Sequence, residues 1–303
     1  MNIAVIDVGT NSTNLLVQDT AGNDLARIVT TTRLGDSLHD TGLLSAGGIE
    51  RTLTTVQTHI ATAQQHDAHR IIITGTAACR RARNTQEFIS AVHNATGITV
   101  EVLSEKDEAT FAFRGALSGL PEVLSPTLVI DIGGGSTEYT VGILDAEMSA
   151  SIPFGAVTGT ASHTGTGRPK PEDLTNLIGA VSDELEELGR EIPALASPSR
   201  VIGVAGTIVT MAAVEIGLAE FDSSVLHGFE LTRDAAEDVF RTLATETLDE
   251  RKLNPGLPTD RADIIVAGCC ILVATMRRLH LDSITVSTRS LMDGIVSRER
   301  LKP

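Results

Sequence analysis

Apolar residues recur along this chain in two alternating rhythms. Short Ile- and Val-rich runs at 3–6, 13–17, 24–32, 70–74 and 98–103 predict strands in the first third. A second set follows at 127–130, 139–143, 146–152, 200–204 and 283–287. Between them the period lengthens. Ile49, Leu53, Val56, Ile60 and Ala63 step by four and three, which gives one apolar stripe on a helix starting near Ser45. Leu174, Leu177, Ile178, Val181, Leu185 and Leu188 do the same over 172–190, and Ala235, Val239, Leu243 and Ala244 over 232–246. The segment 261–278 is apolar enough to predict a buried helix, and 290–300 a terminal one. Ser104 with Asp107 has the Ser-x-x-acid form of a capping box. The helix it opens carries Ala109, Ala112, Phe113, Ala116 and Leu117 on one side. Glu108, ~100° round from Ala109, lies on the flank of that stripe. Segments 34–42, 153–171 and 254–258 read as loops, and a polar helix carries Arg80, Arg81, Arg83 and Asn84. Within each half, strands come first and helices follow, the pattern of an α/β protein with helix-flanked mixed sheets. A joint near 118–121 divides a domain 1–117 from a domain 118–303, with the terminal helix 289–303 a candidate to rejoin the first.

The polar residues that interrupt this pattern are concentrated in turns. After the run 127–130 comes Asp131-Ile132-Gly133-Gly134-Gly135-Ser136-Thr137-Glu138, and then another strand. Three glycines between strands allow backbone N–H groups to approach an anion, and Ser136 and Thr137 add hydroxyl donors. Asp131 and Glu138 bracket the turn; carboxylates beside an anion cradle make sense with a divalent cation between them and a phosphate. The plainer reading is a glycine hairpin without a ligand. A second copy argues against it: Asp7-Val8-Gly9-Thr10-Asn11-Ser12 also lies between two apolar runs. A looser third, Gly203-Val204-Ala205-Gly206-Thr207, follows the run 200–204. Together they predict one phosphate site built from two similar halves.

Composition narrows the chemistry. The 303 residues suit two domains of ordinary size, and 42% apolar residues supply a sizeable core. The formal net charge of −15 argues against non-specific binding to nucleic acid or acidic membrane, so a polyanionic substrate would need bound metal, backbone amides and a few placed arginines. With no Trp and one Tyr, aromatic base stacking is not expected. Cys79, Cys269 and Cys270 form neither a disulfide framework nor a Cys-x-x-Cys metal pattern, and no leader or long apolar segment is evident, so a cytoplasmic protein is expected.

Taken in order, these motifs resemble the exopolyphosphatase/guanosine pentaphosphate phosphohydrolase family, which shares a superfamily with actin and sugar kinases. Asp7 to Ser12 resembles the family's first phosphate motif, and Gly75 to Asn84 its Thr-Ser-Ala-x-Arg-x-Ala-x-Asn segment. Glu105 to Gly115 resembles its Glu-Glu-Ala-x-x-x-x-x-Gly helix, with Asp107 in place of the first Glu of the pair and Glu108 kept. Asp131 to Glu138 resembles the second phosphate motif and Gly203 to Thr207 the third turn; Arg261 to Gly268, Thr285 to Ser287 and Asp293-Gly294 resemble the closing segments. The resemblance implies two ribonuclease H-like domains of the actin-like ATPase superfamily around a central cleft. It implies a metal-dependent hydrolase that releases terminal orthophosphate from inorganic polyphosphate. In that mapping Glu108 is the general base. Asp7, Asp131 and Glu138 serve metal, which is Mg²⁺ with Mn²⁺ an alternative. Gly9, Thr10, Asn11, Ser12, Arg80, Gly133, Gly134, Gly135, Ser136, Thr137, Gly206 and Thr207 hold phosphates. A homodimer is implied, and no C-terminal HD-type domain is expected. Hydrolysis of guanosine pentaphosphate at the same site and a non-hydrolytic ATP-binding sensor are the alternative readings.

Overall fold

The computed structural model describes residues 1–196 and 198–301. Strands β1 (Asn2–Val8), β2 (Ser12–Gln18) and β3 (Asp24–Thr31) form an antiparallel meander. Two helices follow, α1 (Leu38–Thr41) and α2 (Ala46–Gln65), and then β4 (Ala68–Gly75), which pairs parallel to β1. Helices α3 (Ala77–Arg81) and α4 (Thr85–Thr96) lead to β5 (Val100–Val102), parallel to β4, and to α5 (Glu105–Leu117). The sheet order is β3-β2-β1-β4-β5.

The same plan then repeats. Strands β6 (Thr127–Ile132), β7 (Thr137–Gly142) and β8 (Ala146–Ile152) form the second meander. Next come α6 (Ala156–Gly159), which continues as a π-helical turn over 160–164, and the 21-residue α7 (Pro171–Glu191). Strand β9 (Arg200–Val204) pairs parallel to β6 and runs into α8 (Ala205–Ile216). After α9 (Ser223–Leu226), β10 (Glu230–Thr232), α10 (Arg233–Thr245), α11 (Leu248–Arg251) and α12 (Ile265–Arg278) comes β11 (Ser283–Val286), parallel to β9. The order β10-β11-β9-β6-β7-β8 is that of the first sheet with one antiparallel edge strand added. Two mixed sheets with this ribonuclease H-like order make an α/β fold. The chain ends in α13 (Leu291–Arg300).

The fold divides into two compact units, residues 1–115 with 291–303, and residues 116–290. The last two residues of the predicted terminal helix, 302 and 303, lie outside the described residues. In the first unit the alternation along β1 feeds two cores. Ala4, Ile6 and Val8 join Leu15, Val17, Val56 and Phe88 on the α2/α4 side. Ile3 and Val5 join Leu16, Phe111, Leu291 and Ile295 on the α5/α13 side. In the second unit α12 is buried from Ile265 to Met276, as its unbroken apolar run requires, and packs against α7 and α10.

Four readings are corrected. The segment 34–42 is not all loop: it holds the one-turn α1. The 153–171 connection holds α6 and its π turn. The polar helix after Gly75 stops at Arg81, because Ala82 is extended, and Asn84 instead precedes α4. The apolar helix begins at Ile265 rather than at Arg261.

Candidate active site

The two glycine turns share one construction. The Gly9 amide donates to the Ser12 carbonyl (2.9 Å), and the Gly133 amide to the Ser136 carbonyl (3.1 Å). Across the strands that follow, Asp7 pairs with Asn14 and Asp131 with Glu138 in the same register. The carbonyls of each turn are taken up from one side. Thr10 and Asn11 accept from the amides of Gly35, Thr32 and Arg33, and Gly133 and Gly134 accept from Ala156, Val157 and Thr158. A turn whose carbonyls are engaged in this way suits its amides to an anion.

In the first turn the Asn11 side chain is 6% exposed, and neither its Oδ1 nor its Nδ2 has a hydrogen-bond partner. A buried amide left unpaired costs about 1–3 kcal/mol, so an orphan here marks a place for a bound polar group. The Asn14 Oδ1, across from Asp7, is likewise unpartnered. The Thr74 hydroxyl donates to Asp7 Oδ1 (3.4 Å).

The second turn departs from expectation in its side chains. The Ser136 hydroxyl donates to Glu138 Oε1 (2.5 Å) and that of Thr137 to the Phe154 carbonyl (2.7 Å). Neither proton is then available to a phosphate, and the cradle is left to backbone amides. Gly155 seals its outer side: a Cβ there would stand 2.5 Å from the Gly134 carbonyl carbon. Glu138, 6% exposed, also accepts from Ser151 (3.1 Å), and Asp131 accepts from Ser290 (3.3 Å).

Gly206 lies not in a hairpin but in the first turn of α8, whose opening amides have no intrahelical acceptor and form the positive end of the helix dipole. The preceding Ala205 takes φ +67°, a strained value for a residue with a Cβ. Thr207 is 2% exposed, packed where Gly268 of α12 leaves room. A Cβ on Gly206 would fall 2.0–2.3 Å from the Arg261 guanidinium. Sequence reasoning missed this arginine as a site residue. It lies 55 positions along the chain from the glycine it covers, and only the closing-segment pattern around it gave a signal.

Arg80 and Glu108 come together in the first unit. The last turn of α3 points Arg80 at the first turn of α5, where Arg80 pairs with Glu108 and also donates to the Leu103 carbonyl (3.2 Å). Ser104 caps α5 by accepting from the Asp107 amide (3.1 Å), which fixes the start of the helix and so the place of Glu108. The Glu108 side chain is 14% exposed. Burial pushes its carboxyl above the ordinary range, the Arg80 guanidinium pulls it down, and Glu105 pushes it further up; the net direction is upward. A carboxylate shifted in this direction is a stronger base than a free one, the property a general base uses. Burial likewise drives the neighbouring Cys79 thiol up to about 12, which leaves it inert.

The described residues hold no cluster of three or more His, Cys, Asp or Glu side chains that could bind a metal. The second unit offers the cross-strand pair Asp131/Glu138, and the first offers Asp7. The one or two hard oxygen donors that either unit offers by itself fit Mg²⁺, which commonly takes one or two carboxylates and fills its sphere with water and substrate phosphate. No helix among the described residues is long and apolar enough to cross a membrane.

The profile of the Ppx/GppA phosphatase family matches residues 5–302. The chain belongs to that family. Exopolyphosphatase 2 of Mycobacterium tuberculosis is 28% identical over 309 residues, covering 97% of both chains. A guanosine-5'-triphosphate,3'-diphosphate pyrophosphatase of Aeromonas hydrophila is 29% identical over 97% of this chain, which spans 58% of that protein. The crystal structure of an exopolyphosphatase from Cytophaga hutchinsonii superposes with a TM-score of 0.90 at 26% identity, over 99% of this chain and 97% of that one. For this family member, then, the fold and the broad class of phosphatase are those of its relatives.

Proposed function

We propose that the protein is an exopolyphosphatase that hydrolyses the terminal phosphoanhydride of inorganic polyphosphate with Mg²⁺. The observation that carries this reading is Glu108: a largely buried carboxylate, raised above its ordinary range, held by an arginine at a helix start. Similarity along 97% of both chains to a protein named exopolyphosphatase supports the choice of substrate.

Phosphoryl transfer to water asks mainly for positioning and charge neutralisation. In this mechanism Glu108 accepts the proton of the attacking water. Arg80 orients Glu108 and offsets negative charge. Within the turns at Gly9–Ser12 and Gly133–Thr137 the amides other than those of Gly9 and Gly133, which are engaged inside the turns, hold phosphate oxygens, and the N-terminus of α8 at Gly206-Thr207 does the same. Asp131 and Glu138 in the second unit, or Asp7 in the first, would hold Mg²⁺, which when bound would neutralise phosphate charge.

The test is phosphate release from long-chain polyphosphate, guanosine pentaphosphate and ATP, each with Mg²⁺ and with EDTA. Fastest release from polyphosphate, abolished by EDTA, is expected. Faster release from guanosine pentaphosphate would move the assignment to the activity named for the Aeromonas relative. ATP binding without release from any of the three would contradict hydrolysis.

A further inference from the structure

The Asp293-Gly294 pair near the end of the chain has no place in the site described so far. In the first unit Gly294 lies on α13 against the backbone of α5. A Cβ at Gly294 would stand 2.0 Å from the Phe111 carbonyl oxygen and 2.8 Å from its Cα. No side chain fits there, and the obstacle is backbone, which cannot rotate aside. Phe111 sits three residues beyond Glu108 on the same helix, so the contact falls one turn from the carboxylate.

α13 is itself fixed to the sheet. Asp293, 6% exposed, receives both arms of Arg27 from β3 (2.6 and 3.2 Å). Arg298 reaches Glu101 of β5 with both arms (2.9 and 3.1 Å), and its guanidinium lies 4.8 Å from the centre of the Phe111 ring. Ion pairs thus lock α13 to the sheet, and the glycine lets it bear directly on α5.

We propose that Gly294 is a positioning residue for Glu108: the bare backbone of α13 sets the depth of α5, and so the place of the carboxylate beside Arg80. This inference rests on the general-base reading of Glu108. It extends that reading to a residue that touches no substrate, which acts through a helix–helix contact.

The test compares wild type, Gly294→Ala, Arg27→Gln and Val92→Ala as full chains. Val92 is buried in the other core of the same unit and serves as the control for lost stability. Two readouts are taken: kcat and KM for phosphate release from polyphosphate with Mg²⁺, and titration of the Glu108 carboxyl by ¹³C NMR. Gly294→Ala is expected to lower kcat ~10²-fold with KM changed little, since a displacement of about 1 Å has that effect on an aligned site. The Glu108 titration is expected to move by about one pH unit. Val92→Ala, matched in loss of Tm, moves neither. Should Gly294→Ala fail to fold, Arg27→Gln decides, with a smaller change in the same readouts. Unchanged kcat and titration in the folded α13 variants, or equal losses in Val92→Ala, would overturn the proposal. If the wild type releases no phosphate, the general-base reading fails, and the titration alone decides whether Gly294 positions Glu108.

Discussion

At Glu108 burial and Arg80 act against each other, and the balance has a sign that can be measured. A general base works ionised, so kcat/KM rises with pH through its pKa. Because burial is the larger influence, the acid limb is expected above the ordinary Glu value of about 4.3. Arg80→Gln removes the group that pulls the carboxyl down, so the limb should move further towards alkaline pH as the rate falls. A pH profile of the two proteins checks this; an acid limb that moves down in the variant would contradict it. Glu108 was visible in the sequence as the flank residue of a capped helix, but its partner was not, because Arg80 lies 28 positions away. Ser136 and Thr137 show the converse. Hydroxyls after a glycine turn looked like ligand donors, yet folding brings Glu138 and the Phe154 carbonyl within reach and they take both protons.

The repeated strand–turn–strand element carried most of the legible information. Each copy has a buried strand on either side and an Asp at the turn, and both the cross-strand register and the Gly amide bond recur in the structure. The sequence did not show the segment that closes each turn from outside. The first turn is closed by the irregular segment 32–35 and the second by α6, which spans four residues; neither can display a periodic apolar stripe. Gly155, just before α6, gives a prediction at this scale. A Cβ there meets the backbone of Gly134 and Ser136 at 2.5–2.6 Å. Gly155→Ala should therefore distort the triple-glycine turn, destabilise the second unit by about 1–3 kcal/mol, and raise KM for polyphosphate. Thermal unfolding with steady-state kinetics checks both. Unchanged KM in the folded variant would mean that this turn does not hold substrate.

For the whole molecule, the first unit cannot close before residues 291–296 are in place, since α13 supplies Leu291, Ile295 and Val296 to a core otherwise built before residue 112. Burial of three such side chains contributes on the order of 5 kcal/mol, comparable with the stability of an entire domain. Ending the chain at residue 290 should leave the first unit with little protection from hydrogen exchange while the second keeps its own. Undiminished protection of β1 and β2 would contradict this. The sequence showed a terminal amphipathic segment but could not show its docking place, which depends on Arg27, Arg70 and Glu101 from three separate strands. The division between residues 115 and 116 falls inside α5, which ends at Leu117, where the sequence places the end of the first domain.

The most direct test of the central claim is the rate of phosphate release from polyphosphate by wild type and Glu108→Gln under saturating substrate and Mg²⁺. The variant keeps the shape of the side chain and its hydrogen bonding towards Arg80 but cannot take a proton. A fall in kcat of ~10²–10⁴-fold with little change in KM is predicted, as for loss of a placed general base. A variant that turns over within a few-fold of the wild type would show that another group activates the water.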